Sequence, residues 1–205
     1  MSRTKKNALL AAFFLLILPL AVVMDRQVLR TLRQIVRTEV WASEDAKRYH
    51  NRTFQTARVV DGDTLDIAAD DDDKATTRIR LIGVDTPETQ HTTVGPMYYG
   101  QEATDFAKRL AEGRQVTVLL DTVSAERDRY GRLLAYVVLP DGRVLNEAMI
   151  REGYGYADSR FRHSRYDEYL RLMDEAIDEK AGLWQNAARE QLPQWLRSQR
   201  PELLR

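Results

Sequence analysis

Three short stretches, far apart in the chain, carry residue types suited to one reaction. Asp61-Gly62-Asp63-Thr64 supplies two carboxylates. Arg80-Leu81-Ile82-Gly83-Val84-Asp85-Thr86-Pro87-Glu88 supplies an arginine and two more carboxylates, and Asp128-Arg129-Tyr130-Gly131-Arg132 supplies further arginines. Carboxylate oxygens hold hard cations, another carboxylate can handle a water molecule, and guanidinium groups meet phosphate oxygens through paired N–H bonds. Metal-assisted cleavage of a phosphodiester needs this combination.

Each stretch also has an ordinary reading. Asp-Gly is a common hairpin dipeptide, and Asp-Thr-Pro-Glu can open a helix or a turn. The arginines shift the balance. Alternation along the strand predicted over Thr76 to Val84 puts Ile79 and Leu81 on one face and Arg78 and Arg80 on the other with Ile82, so the charged face must stay open. Arg132 follows a tight Tyr-Gly turn, from which a guanidinium can be aimed. Should Asp63 and Asp85 converge, two like charges about 4 Å apart cost about 4 kcal/mol at an effective dielectric of 20. A cation, a shared proton or an arginine must resolve that conflict. An all-oxygen ligand set favours calcium, magnesium or manganese over zinc or copper.

The elements that must position these residues belong to a chain of 205 residues with a formal net charge of +0. This length fits one globular domain with appendages. There is no cysteine, which excludes disulfides, thiolate metal sites and cysteine catalysis, and there are three histidines, His50, His91 and His163. His91 and His163 read as loop and surface residues, since a carboxylate already serves as candidate base.

Residues 1–7 form a basic tail containing Arg3, Lys5 and Lys6, and residues 8–24 form an uncharged run rich in Leu, Ala and Phe. At about 1.5 Å per residue this run reaches roughly 25 Å against a hydrocarbon core of about 30 Å. It is expected to be a single-pass transmembrane anchor with the following domain exported; secretion after signal cleavage is the alternative. Residues 25–50 read as a basic amphipathic connector, with Val28, Leu32, Ile35, Val36 and Val40 opposite Arg30, Arg33 and Arg37.

Residues 51–186 have the pattern of an α+β domain. Strands are predicted over Phe54 to Val60, Thr64 to Ala68, Thr76 to Val84, Val116 to Leu120 and Leu133 to Leu139. About three helices, over Gln101 to Leu110, Asn146 to Glu152 and Tyr166 to Glu179, end near Gly113, Gly153 and Gly182. Five strands interleaved with helices fit a small barrel. The acidic run Asp70 to Asp73 lacks the spaced ligands of a calcium loop and reads as a solvated hairpin tip. Residues 187–205 read as a C-terminal appendage.

The order and spacing of the three stretches resemble the staphylococcal nuclease, or thermonuclease, family, whose barrel is an oligonucleotide-binding fold. The resemblance runs from about Arg52 to Trp184 and includes Asn146-Glu147-Ala148-Met149-Ile150-Arg151-Glu152-Gly153 and Gly182-Leu183-Trp184. It implies one calcium ion held by Asp63, Asp85 and the Thr86 carbonyl, with Asp61 supporting the site from nearby. It further implies that Glu88 orients or deprotonates the attacking water, that Arg80 binds the scissile phosphate and that Arg132 stabilises the transition state. Arg129 and Tyr130 match positions that touch a nucleotide phosphate, and Phe161 is the candidate for a base-stacking aromatic, with a core position as its equal alternative.

The implied activity is a calcium-dependent endonuclease acting on DNA and RNA with low sequence preference and leaving 3′-phosphate ends. The chain is expected to act as a monomer without a protein partner, contacting membrane through residues 8–24. A catalytically silent nucleic-acid-binding barrel tethered to a membrane is the alternative; it leaves the joint presence of Arg80, Glu88 and Arg132 unexplained. The segment after Glu88 departs from the family's lysine-rich loop, carrying His91, Pro96, Tyr98 and Tyr99 instead.

Overall fold

The computed structural model describes residues 43–89 and 95–203. The basic tail, the proposed membrane segment over 8–24, most of the connector and His91 lie outside the described residues. Among the described residues, no helix is long and apolar enough to cross a membrane.

Five strands close a barrel: β1 (Arg52–Asp61), β2 (Thr64–Ile67), β3 (Thr77–Leu81), β5 (Gln115–Leu120) and β6 (Leu133–Val138), in the order β1-β2-β3-β6-β5 with β1 also paired to β5. All pairings are antiparallel except β3 with β6. Alternation supplies the interior: Leu65, Ile67, Ile79, Leu81, Val116, Val118, Leu133 and Ala135 are almost wholly buried. Each large aliphatic side chain so buried contributes about 1.5–3 kcal/mol. On β3 the same alternation turns Arg78 and Arg80 away from that interior, as the sequence pattern requires.

The strand expected to run unbroken to Val84 is interrupted. Gly83, with φ +73°, turns the chain, and the short β4 (Val84–Asp85) leaves the barrel to pair with β7 (Tyr156–Ala157), setting Asp85 opposite Tyr156. This turn brings Asp85 back towards Arg80 instead of leaving it farther along the same strand.

The described residues hold five α-helices rather than about three. The expected ones are α2 (Gly100–Ala111), α3 (Leu145–Arg151) and α4 (Tyr166–Asp178). The additional ones are α1 (Glu44–Tyr49) and α5 (Gln194–Gln199), each of six residues, too short to display a helical period; Tyr49 and Leu196, both fully buried, anchor them. Asn146 joins α3 to the barrel: its amide donates to the carbonyls of Ile82 (3.0 Å) and Ala135 (3.1 Å) and accepts from the N–H of Val137 (3.0 Å). Residues 187–203, read as an appendage, pack Leu192, Leu196 and Leu203 into the same compact body, which begins at Asp45.

Candidate active site

Asp63 sits in the turn between β1 and β2 and is nearly sealed from solvent. One of its oxygens accepts from the Thr86 N–H (3.0 Å) and hydroxyl (3.2 Å), and the other accepts from the Thr64 hydroxyl (2.9 Å) and pairs with Arg80. Arg80 also donates to Asp85 Oδ1 (2.7 Å) and to the Val84 carbonyl (3.2 Å). The conflict between the two aspartates is therefore resolved here by an arginine. Burial opposes the charge of Arg80, but Asp63 and Asp85 more than offset that and push its pKa upward. Asp85 is itself raised: burial outweighs the attraction of Arg80, and Asp63 adds to the rise. The two directions agree once the second carboxylate is counted.

Gly62 permits this interlock. A Cβ built there would lie 2.8 Å from Thr86 Oγ1, in the hydroxyl that holds Asp63. The adjacent Asp61 accepts from the Gly62 N–H (2.9 Å), from the Thr104 hydroxyl of α2 (2.9 Å) and from the Thr89 hydroxyl (3.4 Å). Glu88 completes the acidic group. Burial, then the charges of Asp63 and Asp61, a hydrogen bond with Asp61 and the charge of Asp85 push its pKa up to about 7. Its backbone is fixed by the Met97 N–H, which donates to the Glu88 carbonyl (2.9 Å).

The donor chemistry of this group fits a hard divalent cation. Asp63 and Asp85 pair with one buried arginine, and Glu88 is raised by burial first and then by the charges of Asp63, Asp61 and Asp85, which an added cation would offset. The ligands are not gathered into a finished cage: among the described residues, no three acidic or imidazole groups stand at ligand separation.

Arg80 also lines a groove of about 730 Å³, whose walls include Arg129, Tyr130, Arg132 and Phe161. The structure thus brings the two predicted phosphate arginines and all three predicted substrate contacts to one space. Asp63, Asp85 and Thr86 adjoin it through Arg80 and one another, and Glu88 joins the acidic group through its hydrogen bond with Asp61. Phe161 is 68% exposed, which excludes the core alternative, and Tyr130 is 67% exposed.

Arg132 is aimed by its own turn. Asp128 accepts from the backbone N–H groups of Tyr130 (2.9 Å) and Arg132 (3.0 Å) and from Arg132 Nε (2.7 Å). Burial would raise the Asp128 pKa, but these bonds hold it below the ordinary carboxylate value. The loop is tied down by Arg127, which donates to Asp45 (2.6 and 2.8 Å) and to Asp71 (2.9 Å). Asp71 of the acidic run is therefore a structural partner as well as part of a hairpin tip.

Sequence reasoning missed several neighbours of the site. Trp195 of α5 donates its indole N–H to Asp85 Oδ2 (2.9 Å), its ring lies 4.7 Å from the Arg160 guanidinium, and Arg160 pairs with Asp85 (3.2 Å) and Asp158 (2.8 Å). The Asp158-x-Arg160 spacing is a local signal that could have been noticed; nothing local marks Trp195, which is 110 positions from its partner. His163, read as a surface residue, is buried with Nδ1 3.0 Å from the Tyr136 hydroxyl. The reason is Gly83, whose missing side chain leaves room for the imidazole.

The fold and site define a small barrel with an acidic group beside an arginine-lined groove. Comparison with known proteins identifies its kinship. The family described as "Staphylococcal nuclease homologue" matches residues 78–186. An "Uncharacterized endonuclease" of Escherichia coli O157:H7 is 36% identical over 143 residues, covering 69% of this chain and 82% of the relative. The "Thermonuclease" of Staphylococcus hyicus is 36% identical over 138 residues (67% and 78%), and that of Staphylococcus intermedius is 37% identical over 127 residues (62% and 70%). The chain belongs to the staphylococcal nuclease family. This membership supports nuclease activity, a hydrolase chemistry on phosphodiesters.

Proposed function

We propose that this chain is a calcium-dependent endonuclease that hydrolyses phosphodiester bonds of DNA and RNA with little sequence preference and leaves 3′-phosphate ends. The observation that carries the reading is the convergence of Arg80 and Arg132 on one groove, with Arg80 held by the acidic group that includes Glu88. Asp63, Asp85 and the Thr86 carbonyl would hold the ion, with Asp61 as outer support. When bound, calcium supplies positive charge beside the water and the phosphate oxygens.

Water attacks phosphorus in line, giving up a proton; the bond from phosphorus to the 5′ oxygen breaks, and that oxygen takes up a proton from solvent and leaves as a hydroxyl. Glu88 accepts the water's proton or orients the water. Arg80 and Arg132 bond the nonbridging oxygens as negative charge gathers there. Arg129 and Tyr130 bind a neighbouring phosphate, and the exposed Phe161 stacks on a base, which contributes about 1–3 kcal/mol. Residues 8–24 anchor the chain to a membrane with the catalytic domain exported.

The direct test is digestion of single-stranded DNA by the full-length protein. Hydrolysis with calcium, none with a chelator, and strong impairment by Glu88→Gln in a folded protein are expected. Calcium-independent digestion, or full activity of Glu88→Gln, defeats this mechanism. Binding without cleavage under every metal condition would favour the silent barrel.

A further inference from the structure

A second groove, of about 390 Å³, shares Tyr130 and Arg132 with the first and runs along the outside of β1, β2 and β3 past Arg58, Asp66, Lys74 and Arg78. We propose that it is an extended binding track for the phosphate backbone of a single-stranded polynucleotide, holding nucleotides beyond those at the cleaved bond. The proposal rests on the nuclease reading and adds a site to it.

Asp66 is buried in the floor. It accepts from Arg58 Nε (2.8 Å), Arg78 Nε (2.8 Å) and Arg78 Nη2 (3.1 Å), so one carboxylate orients two guanidinium groups. One negative charge between two positive ones leaves a net cation. The arginine side chains are 63% and 43% exposed while Asp66 is 4% exposed, so the fixing charge lies below and the cations face solvent. This preorganisation lowers the entropy cost of gripping an anion.

The spacing continues the active groove. Arg78 and Arg80 occupy the same face of β3 two residues apart, about 6.6 Å along a strand. That is close to the rise of two stacked nucleotides, at about 3.4 Å each. Pairing of Asp66 with Arg78 and of Thr64 with Arg80 sets the two arginines in one cross-strand ladder. Tyr130 stands where the grooves meet, with the Arg129 and Arg132 guanidinium groups 4.7 and 5.5 Å from its ring centre, so that it holds both cations at the junction. Lys74, on the hairpin that follows β2, adds a cation to a wall that also carries Asp71, whose carboxylate is taken up by Arg127.

The test compares a dinucleotide with a single strand of about 12 nucleotides, a length on the scale of known single-strand sites. Arg58→Ala leaves Asp66 paired with Arg78, and Lys74→Ala lies on an exposed tip, so both variants can be measured folded. The combined variant should lower kcat/KM for the long strand relative to the dinucleotide by about tenfold and flatten the salt dependence of binding by about one to two phosphate contacts. An unchanged long-to-short ratio overturns the track. Fluorescence anisotropy of the labelled long strand in chelator reads the track without hydrolysis. Weaker binding by the variant supports it even if no substrate is cut, and unchanged affinity overturns it even if the wild type is an active nuclease.

Discussion

Arg80 and Arg132 face one groove from two different kinds of support. Arg80 is 16% exposed and is held by carboxylates from two separate segments, Asp63 in the β1–β2 turn and Asp85 on β4; Arg132 is 27% exposed and is held by Asp128, four residues before it in the same turn. The first is part of the structure's charge balance, whereas the second is a local device mounted on a tethered loop. Chemistry and stability should therefore separate at Arg132 and be inseparable at Arg80.

The largest expected effect tests that contrast directly. Arg80→Ala should cut hydrolysis by about 10² to 10³ and also destabilise the metal-free protein by about 3–5 kcal/mol, because buried carboxylates lose their partner. Urea unfolding in chelator reads the loss, and added calcium should recover part of it; an Arg80→Ala protein as stable as wild type in chelator would abolish the distinction. Arg132→Ala should show a rate loss of the same order, about 10² to 10³, with stability changed by only about 0.5 kcal/mol or less. A large shift in its melting temperature would place Arg132 in the same class as Arg80.

Smaller effects sharpen the comparison. Trp195→Phe removes the indole N–H from Asp85 while keeping an aromatic ring beside Arg160. The loss of a hydrogen bond to a charged group is worth about 1.5–3 kcal/mol, and it should appear as weaker calcium binding by titration calorimetry. Unaltered calcium affinity would show that the bond is incidental to the ligand.

The smallest effect concerns acid. The Tyr136 hydroxyl has one proton and three polar neighbours, Asp121 (3.1 Å), His163 Nδ1 (3.0 Å) and Ser164 (3.1 Å). If the phenol donates to Asp121, His163 must donate from Nδ1, which leaves Nε2 as the site for a second proton, tight against Gly83. Burial first, and the charge of Arg165 with it, lower the His163 pKa from 6.5 in spite of Asp121 and Asp158. The unfolded chain therefore takes up a proton before the folded one does. This contribution to stability is present above pH 6.5 and is lost as pH falls through the lowered folded value. Relative to His163→Asn, the wild-type urea midpoint should decline below pH 6.5; parallel curves would contradict the assignment.

The legible parts of the molecule were those with local physical signatures. Alternation of Arg78, Ile79, Arg80 and Leu81 gave a strand with a charged outer face, and the three longer helices showed their period and their glycine stops. The parallel pairing of β3 with β6 has no local signature, because it depends on which strands remain to close the barrel. Glycines were read as punctuation, but Gly83 also divides a strand and makes room for His163. The supports of the site were hidden for the same reason: Arg127 reaches partners 82 and 56 positions away, and α5 contains one short stretch between prolines until Trp195 meets Asp85.

At Gly62 the relevant property is emptiness. Its backbone does not need the left-handed region, so the residue serves to let two loops touch, with Thr86 filling the space that any larger residue would claim. A single methyl group there is a wedge driven between the halves of the acidic group, and the reach between Asp63 and Asp85 is set by a gap as much as by any bond. Such a position acts as a gauge: widening it atom by atom would measure how far the two halves can part before they cease to act on one phosphate.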